Sequence, residues 1–283
     1  MSFTVFVAVL AAALLHASWN ALVKSGNDKL MSMAAIVLGH CPFGVLVLIF
    51  VPLPSLQSLP YLLASIVLHA GYQIFLLKSY KVGDLTQVYP IARGSAPLIV
   101  TLFSVAVMGV QFGVVQLLSI TIIAFGIISL GLVSSNGNSQ NFVAARLAFI
   151  TGIFIAAYSL VDGLGARVSE SSWGYFSCMT IGNGLLAIMF LSLTSPKTFL
   201  SLYAKGRITF LVGGGASFLS YGIVTWAFTQ SPIAIVTALR ETSIVFALLL
   251  GAFFLRERLN LFKACATFLT LFGTVLLRFA KGE

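Results

Sequence analysis

The sequence predicts an all-α polytopic membrane protein, with ten transmembrane helices in two inverted five-helix repeats. Three observations carry this reading. Of 283 residues, 59% are hydrophobic and 8% charged, where a globular domain carries about 25% charged residues. Apolar runs follow one another along the whole chain, and the mean hydropathy is +1.05. Two of those runs hold an arginine at matching places, Arg93 in VYPIARGSAP and Arg240 in IVTALRETSI.

A hydrocarbon core takes about 20 apolar residues of helix. Ten segments qualify, at 3–23, 31–51, 60–78, 85–107, 113–133, 143–163, 173–194, 207–228, 232–255 and 260–279. Breakers mark the joints: Asn27-Asp28, Pro52 and Pro54, Gly83-Asp84, Asn136-Gly137-Asn138, Ser195-Pro196, Ser231-Pro232 and Arg256-Glu257-Arg258. The first segment lacks a basic leader and is long enough to span, so it is expected to be a helix and not a cleaved signal. The loops are short, so neighbouring spans are expected to be antiparallel. Pro90 and Pro97 are expected to loosen the fourth span.

The net charge of +9 comes from basic residues scattered over short loops, so no nucleic-acid partner is expected. Cys41, Cys178 and Cys265 lie far apart in apolar runs with no CxxC spacing. They read as packing residues, and no metal is expected. Eleven loop Lys and Arg fall on one side of the ten-span path and three on the other. The positive-inside rule then places both termini outside.

The longest polar joint, SSNGNSQN at 134–141, lies near the midpoint. Sliding the second half over the first by 147 residues puts Arg93 on Arg240, Ser95 on Thr242, Phe125 on Phe272 and Gly126 on Gly273, without a gap. HASWNALVKSG near Trp19 also resembles AAYSLVDGLG near Tyr158. This divides the chain into a five-helix repeat at 1–133, a connecting loop at 134–142 and a second repeat at 143–283. Five spans is an odd number, so the halves enter the membrane in opposite senses. Secondary transporters built this way bind substrate at the repeat interface.

A centrally placed arginine costs about 2.5–3.5 kcal/mol on insertion scales. Intramembrane charges line cavities or pair with other charges. Helical spacing places polar residues on shared faces: Thr86, Tyr89, Arg93 and Pro97; Thr237, Arg240 and Ser243; His69, Tyr72, Gln73 and Tyr80; His16, Trp19 and Asn20; Tyr158 and Asp162; Ser217, Ser220 and Tyr221. Substrate-binding candidates are Arg93, Arg240, Tyr89, Trp19, Asn20, His69, Tyr72, Gln73, Tyr158 and Tyr221. Glu241 and Asp162 are candidate proton-coupling groups, because exclusion of water favours a neutral carboxyl. Plainer readings stand beside these. Arg93 with Glu241 makes a structural ion pair joining the halves; His40 is hydrogen-bonded packing; Trp19 and the tyrosines are packing or an interfacial belt; Gly213-Gly214-Gly215 lets helices approach.

Ten spans in two halves, with Trp19-Asn20 in the first, Pro97 after Arg93 in the fourth, and Gly126 and Gly273 in the fifth and tenth, resemble the EamA-type permeases of the drug/metabolite transporter superfamily. Glu257 in FLRERL matches the Glu-Arg that ends the fourth span of such a unit. The first half departs from the pattern, reading MGVQFG where that acidic residue is expected. HASWNALVK and YPIARG together are similar to a subgroup associated with phosphonate utilisation. Other relatives flip lipid-linked aminosugars. The resemblance implies a central cavity lined by spans 1, 3, 4, 6, 8 and 9, and both termini inside, against the charge count.

Two guanidiniums on one cavity favour an anion, since arginine grips carboxylate, phosphate or phosphonate with a bidentate fork. The function expected is secondary transport of a small anionic or zwitterionic metabolite across the bacterial inner membrane, by alternating access. The alternatives are a lipid-linked aminosugar flippase, which needs a groove open to the bilayer, and an amino-acid or metabolite exporter. An enzyme is not expected, because no GxSxG, HExxH or paired-Asp motif is present. A channel would need a ring of like residues. No cofactor is expected; the partners are a small-molecule substrate and the lipid bilayer. One chain supplies both halves, so a monomer suffices and a homodimer remains open.

Overall fold

The computed structural model describes residues 1–25, 28–82, 85–133, 139–254 and 261–279. Every regular element among them is helical. In order these are α1 (Phe3–Ser25), α2 (Lys29–Leu48), a 3-10 turn (Leu56–Ser58), α3 (Leu59–Val82), α4 (Leu85–Ala106), α5 (Val114–Val133) and α6 (Ser139–Val168). Then come α7 (Ser172–Thr194), α8 (Pro196–Lys205), a π turn (Thr209–Gly213), α9 (Gly214–Gln230), α10 (Ile233–Arg240), α11 (Ser243–Phe254) and α12 (Leu261–Phe279).

Local chemistry sets several of these ends. The Asp28 carboxylate accepts from the Met31 amide at 3.0 Å and starts α2. The Ser171 hydroxyl does the same for Gly174 at 3.0 Å and starts α7. Pro196 opens α8, where its missing N–H costs nothing. Several serines and threonines inside the helices bond the backbone of their own helix: Thr101 donates to the Pro97 carbonyl, Thr151 to Leu147 and Thr237 to Ile233.

Among the described residues six helices are long and apolar enough to cross a membrane: Phe3–Asn20, Leu30–Leu48, Leu56–Val82, Phe142–Val168, Ser172–Thr194 and Thr209–Gln230. Shorter apolar stretches lie at Ile91–Ala106, Val114–Ser129 and Phe268–Leu277. Large apolar side chains point outward on these helices, among them Leu102, Phe125, Leu193 and Phe268. That surface suits lipid contact and not water.

Three predicted boundaries change. The span expected at 232–255 is two helices: α10 ends at Arg240 and α11 begins at Ser243. Between them the Glu241 amide bonds the Ala238 carbonyl and Thr242 bonds Leu239, a tightening to i→i+3 hydrogen bonds. The joint expected at 134–142 is shorter, because α6 starts at Ser139. An unpredicted short helix, α8, follows Ser195. Its sequence PKTFLSLYAK is ten residues long with a lysine near each end, too short to read as a span. Glu257, placed by resemblance at the end of a span, lies outside the described residues.

Helix α5 packs on α12, α3 on α6, α1 on α9, and α2 on α7. Two glycines set the first contact. A Cβ on Gly126 would sit 2.8 Å from Thr270 Oγ1 and 3.1 Å from the Ala266 carbonyl; one on Gly273 would sit 2.8 Å from Ile123 Cγ1 and 3.0 Å from the Ser119 carbonyl. Gly214 serves α2 in the same way: a Cβ there would lie 2.8 Å from the Gly39 Cα. The main core cluster is rich in small residues, with Ala12, Ala92, Ala96, Ala156, Ala227 and Ala238 all buried between α1, α4, α6, α9 and α10.

Candidate functional site

The two intramembrane arginines have different neighbours. Arg93, buried on α4, places Nε 2.7 Å from Glu241 Oε2 and donates from Nη2 to Ser243 Oγ at 3.3 Å. Its partners sit at the α10–α11 break. Glu241 is fully buried. Arg240, at the end of α10, has neutral hydrogen-bonding and ring partners among the described residues. Its Nη2 donates to the Tyr158 hydroxyl at 3.2 Å, and its guanidinium carbon lies 5.0 Å from the centre of the Tyr221 ring. Its Nη1 is buried and makes no hydrogen bond among the described residues.

Beside Arg240 is a cavity of about 90 Å³. His16 and Trp19 reach it from α1, His40 from α2, and His69, Tyr72 and Gln73 from α3. Tyr158 of α6, Asn183 of α7, and Ser217 and Tyr221 of α9 close it. The aromatic rings brace one another. His69 stacks on Tyr158 with centroids 4.1 Å apart, Tyr72 meets Tyr158 edge-on at 5.6 Å, and His16 meets Trp19 edge-on at 5.0 Å. Trp19 Nε1 is buried with no hydrogen-bond partner among the described residues, and so is His40 Nε2.

Asp162, fully buried on α6, lies behind this wall and does not line the cavity. It accepts a hydrogen bond from the Tyr221 hydroxyl at 2.6 Å and another from Tyr175 at 3.2 Å. His69 Nε2 stands 3.9 Å from the same carboxylate, while Nδ1 lies 3.0 Å from the Ser65 carbonyl. Tyr221 therefore joins Arg240, on its ring face, to Asp162, on its hydroxyl.

Of the sequence-chosen residues, Arg240, Trp19, His69, Tyr72, Gln73, Tyr158 and Tyr221 meet at the cavity. Arg93 and Glu241 form the ion pair, away from the cavity lining. Asn20 turns back along its own helix and donates to the His16 carbonyl at 2.8 Å. Tyr89 lies on α4, and its side chain is outside the described ones. Ser220, on the Ser217 and Tyr221 stripe, ties α9 to α1 by donating to the Ala12 carbonyl at 2.7 Å. His40, read from sequence as packing, lines the cavity, so all three histidines of the chain meet there. Asn183 and Tyr175 went unmarked. The i, i+4 row Tyr175, Met179, Asn183 in the seventh span is the signal that could have found them.

Long apolar helices thus enclose a cavity with a buried cation on its wall. Residues 143–279 match the model of the EamA-like transporter family. The family is one of transporters, within the drug/metabolite transporter superfamily. A crystal structure of a protein is similar over 97% of this chain and 99% of that one, with 17% identity and a TM-score of 0.76. At that identity the likeness concerns the fold alone. Comparison with curated proteins gives no match.

Proposed function

We propose that this chain is a secondary transporter of a small anionic or zwitterionic metabolite in the bacterial inner membrane. It works by alternating access between two inverted five-helix halves, residues 1–133 and 143–283. Arg240 carries the substrate reading: it is a buried guanidinium on a cavity, and among the described residues its Nη1 makes no hydrogen bond and its contacts are a hydroxyl and a ring. A buried cation so placed gains from an anionic ligand that supplies the missing acceptor. The repeat is supported by the reciprocal α5–α12 contact. Gly126 faces Ala266 and Thr270, and Gly273 faces Ser119 and Ile123, each partner being shifted by the same 147 residues. Substrate movement follows from rocking of the halves around the cavity. Arg93 and Glu241 join α4 to the α10–α11 break at the centre of that motion.

Thermal stabilisation of the purified chain by small carboxylates, phosphate and phosphonates tests the reading, because a bound ligand stabilises by mass action. Arg240→Gln should abolish the stabilisation; because it also removes the bond to Tyr158, its basal melting temperature should fall, by less than that of Glu241→Gln. Anion stabilisation that survives this change rules the reading out.

One observation favours the flippase reading as a second choice. An apolar groove of about 550 Å³ lies between α2, α7 and α9, lined by Phe43, Phe50, Trp173 and Phe218 among others. Phe218 stands 4.9 Å from Phe176, which lines the polar cavity, so a two-ring wall separates groove from cavity. For a lipid-linked substrate the groove would hold the chain and Arg240 the headgroup. Reconstituted vesicles that flip a fluorescent anionic lipid, and fail to when Gly215→Leu fills the groove, would favour it.

A further inference from the structure

The charges that could meet a ligand are unequal. Among the described residues no acidic side chain lines the cavity. Asp162 and Glu241, the two carboxylates nearest to it, are both fully buried outside the lining. Both Asp162 oxygens are occupied by tyrosine hydroxyls, and Glu241 is held by Arg93. Two residues of the lining instead carry buried donors with no hydrogen-bond partner among the described residues, Arg240 Nη1 and Trp19 Nε1, while His40 Nε2, equally without one, is donor or acceptor according to tautomer. Neither the guanidinium nor the indole can act as an acceptor. Buried donors without partners are rare in folded proteins and call for a ligand that accepts.

From this we infer that the cavity takes a small oxyanion without an ammonium group, a carboxylate or phosphonate whose oxygens accept from Arg240 and Trp19, and discriminates against the corresponding zwitterion. The inference rests on the anionic reading of Arg240 and narrows it. A ligand ammonium would arrive beside a guanidinium, out of water, with no carboxylate to receive it. Like charges brought together in a desolvated site repel, and the electron-rich ring faces offer an ammonium only weak compensation. The volume of about 90 Å³ leaves little room to hold the ammonium away from Arg240. His16, His40, His69, Gln73 and Asn183 supply the remaining polar lining and carry no fixed negative charge.

Matched pairs test this, each exchanging a methyl group for an ammonium. Propionate is paired with glycine, and ethylphosphonate with aminomethylphosphonate. The full chain in detergent is titrated with each at constant ionic strength and followed by thermal unfolding, with methylamine as the cation control. Propionate or ethylphosphonate should stabilise at concentrations at least about tenfold below its aminated partner, a gap of about 1.4 kcal/mol. Trp19→Phe should weaken the anion's effect, and Arg240→Gln should remove it. Arg240→Lys, which keeps the cation, should retain part of it and covers the case of a glutamine variant that fails to fold. Equal or stronger stabilisation by the aminated partners, lost in Arg240→Gln, overturns this inference and leaves the anionic reading standing. If none of the four acids stabilises, or if the effect survives in Arg240→Gln, both fall.

Discussion

The surroundings of Arg93 and those of Arg240 differ, although both arginines lie in apolar runs 147 residues apart. Gly94 follows Arg93, and Glu241 follows Arg240. In the first half the helix runs unbroken. A Cβ on Gly94 would lie 2.8 Å from Ile128 and 3.1 Å from Ile127, so the glycine lets α4 lie against α5. In the second half the helix tightens and breaks at Glu241, and its carboxylate meets Arg93. The result is one arginine neutralised by a carboxylate and one left to tyrosines. The lesson is that two arginines buried in apolar helices need not share a task. With its carboxylate against Arg93, Glu241 leaves Arg240 to a hydroxyl and a ring face among the described residues, which is the basis of the ligand role proposed for it.

Glu241→Gln should give the largest effect. Removing one member of a buried pair leaves the other charge uncompensated and costs about 3–5 kcal/mol. A fall of many degrees in the unfolding temperature is the expected outcome. Replacing both partners, Arg93→Met with Glu241→Met, should recover most of it, because well-packed apolar residues substitute for buried pairs at little cost. Arg240→Gln provides the contrast, since it strands no carboxylate among its hydrogen-bonding partners. Were Arg240→Gln as destabilising as Glu241→Gln, the proposed division of labour would fail.

Tyr221→Phe comes next and sharpens what surrounds Arg240. It keeps the ring beneath the guanidinium and deletes the 2.6 Å hydrogen bond to Asp162. A hydrogen bond to a charged group contributes about 1.5–3 kcal/mol. The variant should therefore unfold at lower temperature yet keep anion stabilisation. Loss of anion binding with unchanged stability would mean that the hydroxyl, and not the ring, serves the ligand.

Most of the fold was legible because a bilayer demands long apolar helices, and these leave a plain record in composition and spacing. Breakers located most ends to within a few residues. The helix break at Glu241 was not legible. The run IVTALRETSIVFALL has no proline or glycine at that point, and the i→i+3 bonds become apparent only with Arg93 opposite. The site was partly legible, since polar residues on apolar helices are few and helical spacing sorted them into faces. Spacing within one helix cannot say which faces converge. His40 was therefore assigned to packing although it lines the cavity, and Asn20 to the site although it bonds its own backbone.

The smallest expected effects test whether the two halves are equivalent anywhere. Gly126 and Gly273 occupy corresponding positions, and each packs against the helix that carries the other. Alanine at either site meets two opposing terms. Helix propensity favours alanine over glycine by about 0.8–1.0 kcal/mol, while overpacking costs about 1–3 kcal/mol. A net loss of about 0–2 kcal/mol is expected. At Gly126 the nearest atom is Thr270 Oγ1, which donates to Ala266 at 2.9 Å and cannot easily swing away; at Gly273 it is Ile123 Cγ1, held by a branched side chain. Both obstacles are similarly stiff, so Gly126→Ala and Gly273→Ala should lower the unfolding temperature by similar amounts. The double variant should lose roughly the sum or more, because the sites share one interface. A full penalty at one glycine and none at the other would place the interface off a symmetry axis, and the proposal of two equivalent halves rocking about it would lose its structural support.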